Sequence, residues 1–88
     1  MTERLAGNAS ARVERIVSRG HASPPGFWYD QDETEWVMVV KGSARIRFFD
    51  DSVLEMRAGD HVTLAPHTRH RVEWTAPGED TVWVAVFF

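Results

Sequence analysis

Residues 29–48 read YDQDETEWVMVVKGSARIRF. The first seven are almost all polar, and an apolar run from Trp36 to Val40 follows them. Gly42 separates this run from residues 43–48, in which polar and apolar side chains alternate. Short β-branched runs on either side of a glycine predict two strands joined by a tight turn. Glu35 is the last acid before the apolar run, and the pattern leaves open whether it is solvated or points inward.

The rest of the chain repeats this arrangement of short apolar segments and turns. Glycine, proline, aspartate and serine recur at Gly20 and in residues 23–27, 50–52, 58–60, 65–68 and 76–80. The segments between them are short and rich in β-branched and aromatic residues, which predicts an all-β sandwich or barrel. Residues 9–17 are the one segment that fits a helix, although RVERIVS suits a strand as well.

Composition narrows the class of protein. The chain has 88 residues, 43% of them hydrophobic, which predicts one globular domain. Its net charge is −3 and its basic residues are scattered, so we expect neither nucleic acid nor a membrane surface as a partner. It has no cysteine, hence no disulfide and no thiolate metal ligand. No apolar leader or membrane-spanning run is present, which predicts a cytoplasmic protein.

Alternation assigns faces to three predicted strands. In residues 70–74, HRVEW, it places His70, Val72 and Trp74 on one half-buried face. Residues 35–40 and 81–88 are apolar on both faces, so a further layer is expected to cover one of them, either the N-terminal arm or a second subunit. A homodimer is therefore predicted through the residues assigned away from the barrel interior: Trp36, Met38, Val40, Trp83 and Phe87.

Two spacings resemble the sequence motifs of the cupin superfamily, and of its small single-domain bacterial members in particular. Glu35 is followed after six residues by Gly42, and Gly59 opens a segment that ends at His70. The resemblance implies a small antiparallel double-stranded β-helix, a jelly-roll-like barrel, formed as one domain by residues 1–88. Residues 1–12 are expected to be a flexible or covering arm.

The resemblance also implies a site. The family's two motif-one histidines fall on Tyr29 and Gln31, whereas its glutamate and its motif-two histidine are kept as Glu35 and His70. The implied ligands are Gln31, Glu35 and His70, for Mn, Fe, Ni or Zn, with no organic cofactor. Tyr29 is the candidate proton donor. The remaining pocket candidates are His21, Phe27, Trp28 and Trp74.

Each site residue also has a purely structural interpretation. Glu35 can pair with Arg45 or Arg47, and His70 can be a hydrogen-bonded core histidine. The family has glycine at the position of His67, which predicts a positive φ there.

Three functions remain open from the sequence: a metal-dependent enzyme with oxygenase-type or isomerase-type chemistry, a metal-free small-ligand or sensor module, and a structural dimer.

Overall fold

The computed structural model describes residues 1–88 and is built entirely of strands and turns. No helix is long and apolar enough to cross a membrane. The segment that fitted either a helix or a strand is a strand. The eight strands are β1 (Thr2–Gly7), β2 (Arg12–Ser18), β3 (Glu35–Lys41), β4 (Ser43–Phe48), β5 (Val53–Arg57), β6 (His61–Leu64), β7 (His70–Thr75) and β8 (Thr81–Phe87).

The strands form two antiparallel sheets that face each other. The larger sheet has the order β1-β2-β8-β3-β6 and the smaller has the order β5-β4-β7. Strands distant in sequence are neighbours: β8 pairs with both β2 and β3, and β4 pairs with β7. This crossed connectivity confirms the predicted all-β, jelly-roll-like barrel.

The core lies between the sheets and is made by alternate residues of each strand. Val37 and Val39 of β3 are 3% and 0% exposed, while Trp36 and Met38 between them are half-buried on the outer face. Ala44 and Ile46 of β4 and Met56 of β5 close the core from the smaller sheet. Burying each large aliphatic side chain contributes about 1.5–3 kcal/mol to folding.

The face assigned to β8 was wrong. Val37 of β3 pairs with Ala85, so Ala85 and its alternate neighbours Trp83 and Phe87 point inward. The outward residues are Val82, Val84 and Val86, all half-buried. Because both faces of β8 are apolar, only the pairing register decides which face is buried.

Trp74 also lies on the opposite face from the one predicted. Arg45 of β4 pairs with Trp74, but the next residue, Ile46, pairs with Val72, which leaves Glu73 as an extra residue. This bulge shifts the alternation of β7 by one residue, so Trp74 faces outward with Arg45 while His70 and Val72 face inward. The Arg45 guanidinium carbon lies 4.6 Å from the centroid of the Trp74 ring.

The N-terminal segment extends the larger sheet instead of covering one of its faces. Residues 2–7 form the edge strand β1, all of whose side chains are exposed. The Met1 ammonium donates to the Val17 carbonyl over 2.9 Å, and the Val17 amide donates back to the Met1 carbonyl over 2.8 Å. The expected flexible or covering arm is therefore a paired strand.

Gly42 makes the β3–β4 turn and holds β3 close to β8. Its φ is +90°, and a Cβ there would lie 2.6 Å from Thr81 Oγ1 and 2.8 Å from Thr81 Cα. Only glycine tolerates both this backbone conformation and this close approach. The turn fixes β3 against β8 and so fixes the position of Glu35 at its start.

Candidate functional site

A cavity of about 270 Å³ lies between the two sheets. Apolar side chains of six strands form most of its wall, and Tyr29, Glu35 and His70 gather at one side, around the start of β3 and the start of β7. None of the lining residues is arginine or lysine. The lining consists of Thr2, Glu14, Ile16, Ser18, Tyr29, Glu35, Val37, Ile46, Leu64, His70, Val72 and Trp83.

Glu35 points into this cavity. Its side chain is 11% exposed, and its cross-strand partners are Leu64 and Phe87. Arg45 and Arg47 pair with Glu55 and Glu73 instead, so the alternative of a solvated, arginine-paired Glu35 is wrong. Burial raises the pKa of the Glu35 carboxyl, and the neighbouring His70 and Gln31 offset part of that rise. A buried carboxylate without a cationic side chain as partner is costly.

His70 faces Glu35 across the cavity and is held in a defined orientation. Its Nδ1 lies 2.8 Å from the Thr68 carbonyl oxygen. A carbonyl only accepts hydrogen bonds, so Nδ1 carries the hydrogen. Nε2 is then the ring nitrogen that faces the cavity, 3.7 Å from Glu35 Oε1. Metal-binding histidines are commonly oriented by such a second hydrogen bond.

Gln31 completes a cluster around Glu35. Gln31 Nε2 donates to Glu35 Oε1 over 3.3 Å. The chain bends at residues 32 and 33, which turns Glu33 away to an ion pair with Arg12, with Nη1 to Oε1 and Oε2 distances of 2.6 and 2.8 Å. The chain therefore turns after Gln31, and this turn places Gln31 and Glu35 side by side.

Tyr29 lies against the same histidine. The two rings stack with centroids 5.3 Å apart at an angle of 22°. The backbones of Tyr29 and His70 exchange hydrogen bonds of 2.7 and 3.2 Å. All four positions of the motif, Tyr29, Gln31, Glu35 and His70, are thus brought together at one side of the cavity.

These side chains fit a divalent cation with a sparse ligand set. A tetrahedral cation about 2.1 Å from each ligand atom holds two such atoms about 3.4 Å apart, close to the 3.7 Å between His70 Nε2 and Glu35 Oε1. Rotating the Gln31 amide by 180° turns its oxygen towards the same point. No group of three His, Cys, Asp or Glu side chains surrounds a common point, so a third protein ligand would have to be an amide or phenol oxygen.

The four predicted pocket residues separate into two pairs. His21 and Phe27 line an outer pocket of about 300 Å³, which is more open than the cavity and shares Ser18, Tyr29 and Val72 with it. Trp28 packs on Phe49 with centroids 5.1 Å apart and lines neither space. Trp74 lies on the outer face of the smaller sheet. The predictions for Trp28 and Trp74 are therefore corrected.

Sequence reasoning missed several residues of the cavity wall, Glu14 and Trp83 among them. Glu14 of β2 faces the cavity with its side chain 20% exposed, and its Oε2 accepts from Arg12 Nε over 3.0 Å. Had residues 12–18 been read as a strand, alternation would have placed Glu14 and Ile16 on one face. Trp83 was missed because its face was assigned wrongly.

Comparisons with known proteins agree with this architecture. The family model of the cupin domain matches residues 14–87. Among curated proteins, none matches the chain. A crystal structure from Ralstonia eutropha JMP134, named a "putative mannose-6-phosphate isomerase", is 50% identical with a TM-score of 0.95, over 99% of this chain and 82% of that one.

More distant structures share the fold. An RmlC-like cupin from Shewanella frigidimarina NCIMB 400 is 18% identical with a TM-score of 0.80, over 98% of this chain and 72% of that one. A cupin superfamily protein from Desulfitobacterium hafniense DCB-2 is 15% identical with a TM-score of 0.82, over 100% of this chain and 75% of that one. At such identities the likeness concerns the fold alone.

Proposed function

This chain belongs to the cupin domain family, and we propose that its barrel binds one divalent metal and, beside it, a small molecule. His70 Nε2, a Glu35 carboxylate oxygen and the Gln31 amide oxygen would hold the metal. The observation that carries the proposal is the orientation of His70: with Nδ1–H bound to the Thr68 carbonyl, Nε2 faces the buried Glu35 carboxylate across 3.7 Å. A cation between them would satisfy both.

A bound metal would supply Lewis-acid chemistry, which polarises an oxygen of the small molecule. The residues of the chain have separate parts in this scheme. Tyr29 stacks on His70 at the passage between the cavity and the outer pocket, where its hydroxyl can move a proton to or from the bound molecule. The apolar wall of Ile16, Val37 and Trp83 excludes water from the far side.

The charges of the wall indicate which ligands the cavity accepts. Phosphate groups are generally bound by arginine, lysine or clustered backbone N–H groups. Neither the cavity nor the outer pocket contains arginine or lysine, and Glu14 adds a second carboxylate to Glu35. We propose that the ligand is uncharged wherever it contacts the wall, so that any anionic group it carries binds the metal. A phosphorylated sugar, the substrate that the name of the R. eutropha protein implies, does not match this wall.

A metal-free binding module is the second candidate. It is favoured by the absence of a third His, Asp or Glu ligand and by the direct bond from Gln31 Nε2 to Glu35. In that case the three side chains form a hydrogen-bonded cluster that binds a small ligand or sensor molecule without catalysis.

Calorimetric titration with Mn²⁺, Ni²⁺ and Zn²⁺ distinguishes the two candidates. We expect the parent to bind one metal per chain and His70→Ala to bind none, because that substitution removes the only imidazole among the proposed ligands. Gln31→His should tighten binding, since imidazole is a better donor than a neutral amide. The matched control is His61→Ala, which removes an exposed histidine on the outer face whose ring lies 5.7 Å from that of Trp36. Parent protein that binds none of the three metals would rule out the metal proposal and leave the binding module.

We also propose that the chain is a homodimer. Its interface would be the outer face of the larger sheet, where half-buried apolar side chains of β3 and β8 lie together. A continuous apolar patch of this kind is unusual on a monomer. The residues are Trp36, Met38, Val82, Val84 and Val86.

A further inference from the structure

The turn between β6 and β7 contains a residue in an unfavourable backbone conformation. His67 has a φ of +61°, in the left-handed region that favours glycine. His67 is exposed and packs into no core, so burial does not compensate for this conformation. Such outliers persist where surrounding contacts hold them, and they cluster at functional sites.

The contacts that hold His67 are all to three consecutive residues. His67 Nδ1 lies 2.7 Å from Asp30 Oδ1, and His67 Nε2 lies 3.2 Å from Asp32 Oδ1. Between them, the backbone amide of His67 donates to the Gln31 carbonyl over 2.7 Å. The His67 imidazole therefore contacts the residues on both sides of Gln31, and the His67 backbone amide binds Gln31 itself.

The same turn reaches the other side of the site. The carbonyl of Thr68, next in the chain, accepts the hydrogen bond from His70 Nδ1 that orients the imidazole. One turn of four residues thus anchors the backbone of Gln31 and the ring of His70, and both side chains meet at Glu35.

We propose that His67 is a positioning residue, which fixes the segment 30–32 so that the Gln31 side chain is held against Glu35. The proposal rests on the proposed function in one respect: the cluster that His67 positions is the one assigned to the metal. Without the His67 side chain, residues 30–32 would keep only the backbone bond from residue 67 and the 3.3 Å bond from Gln31 to Glu35, and the Gln31 side chain would sample other orientations.

The test is His67→Gly. A positioning role predicts weaker metal affinity without a lower melting temperature, whereas a purely structural role predicts a lower melting temperature. Glycine relieves the positive φ, so the melting temperature should stay the same or rise. Loss of a supporting contact typically weakens metal affinity about 10-fold to 100-fold. We expect an unchanged or higher melting temperature together with Ni²⁺ affinity at least about 10-fold weaker, measured by calorimetry.

Asp51→Gly is the matched control. Asp51 is the only other non-glycine residue with positive φ, at +71°, and it lies in the exposed β4–β5 turn away from the cavity. Glycine there should relieve the same kind of strain and leave Ni²⁺ affinity unchanged. Equal affinity in His67→Gly and the parent would overturn the proposal.

A second measurement keeps the proposal testable if the parent binds no metal. In chelator-treated protein, ¹⁵N relaxation of the Gln31 side-chain amide reports its order directly. We expect a rigid Gln31 amide in the parent and in Asp51→Gly, and a mobile one in His67→Gly. Equal mobility in all three proteins would overturn the positioning role. Absence of Ni²⁺ binding by the parent would instead refute the metal part of the proposed function.

Discussion

Glu35→Gln should change stability in opposite directions with and without metal. The Glu35 side chain is 11% exposed, so solvent screens its charge little, and burial raises its carboxyl pKa above the ordinary value of 4.5. At neutral pH without metal, the ionised group therefore destabilises the folded state. The amide retains a bond to Gln31 and carries no charge. We expect Glu35→Gln to be more stable than the parent by about 1–3 kcal/mol in chelator.

Metal reverses this order. A cation at 1,000 times its dissociation constant adds about 4.1 kcal/mol to the folded parent, which exceeds the amide's advantage of about 1–3 kcal/mol. Glu35→Gln should lose most of that gain because its only negatively charged ligand is gone. The assay is urea unfolding at neutral pH, with chelator and then with Ni²⁺. Glu55→Gln, an exposed acid paired with Arg45, is the control and should change stability by less than about 1 kcal/mol in either condition.

The pH dependence gives an independent check. Because the folded-state pKa of Glu35 is raised, its contribution to stability is fully present below the unfolded value and is lost as pH rises through the folded value. In chelator, the difference in unfolding free energy between parent and Glu35→Gln should therefore grow as pH rises through this window. A metal-free Glu35→Gln that is less stable than the parent at neutral pH would refute this reasoning.

Three further predictions concern the fold and the assembly. Light scattering at micromolar concentration should give twice the 10.0 kDa chain mass, and Val84→Lys on the outer face of β8 should give a monomer; a monomeric parent would refute the dimer. Deletion of residues 1–8 should lower the melting temperature only slightly, because β1 buries no side chain and contributes only its edge pairing with β2; a large fall would show that this pairing, or packing of Leu5 in the assembled protein, stabilises the fold. Met56→Ala should cost about 2–5 kcal/mol in urea unfolding, because Met56 is 1% exposed, and a smaller loss would mean that the core refills the space.

The sequence was sufficient for the fold and for the prediction that Glu35 and His70 face the same cavity. The spacing from Glu35 to Gly42 and the position of His70 brought a carboxylate and an imidazole to one cavity, because the turn at Gly42 and the pairing of β3 with β8 fix where β3 begins. The predicted positive φ of His67 is also present.

The predictions that failed concern which face of a strand is buried, and alternation of side chains alone does not determine this. Val82 and Trp83 are both apolar, so only pairing with β3 shows which one is buried. The bulge at Glu73 reversed the face of Trp74, and no glycine or proline marks that bulge in the sequence. Glu14 was not predicted as a cavity residue because the sequence of its segment fits either a helix or a strand.

Elemental analysis of the untagged protein, purified without chelator, tests the central claim most directly. We predict close to one divalent metal per chain in the parent and none in His70→Ala purified in the same way. The parent's metal should be lost on dialysis against chelator, and its melting temperature should fall with it, whereas the melting temperature of His70→Ala should not change. Two results together would contradict the claim that Glu35 and His70 hold a metal: parent protein without stoichiometric metal, and a melting temperature that chelator does not change.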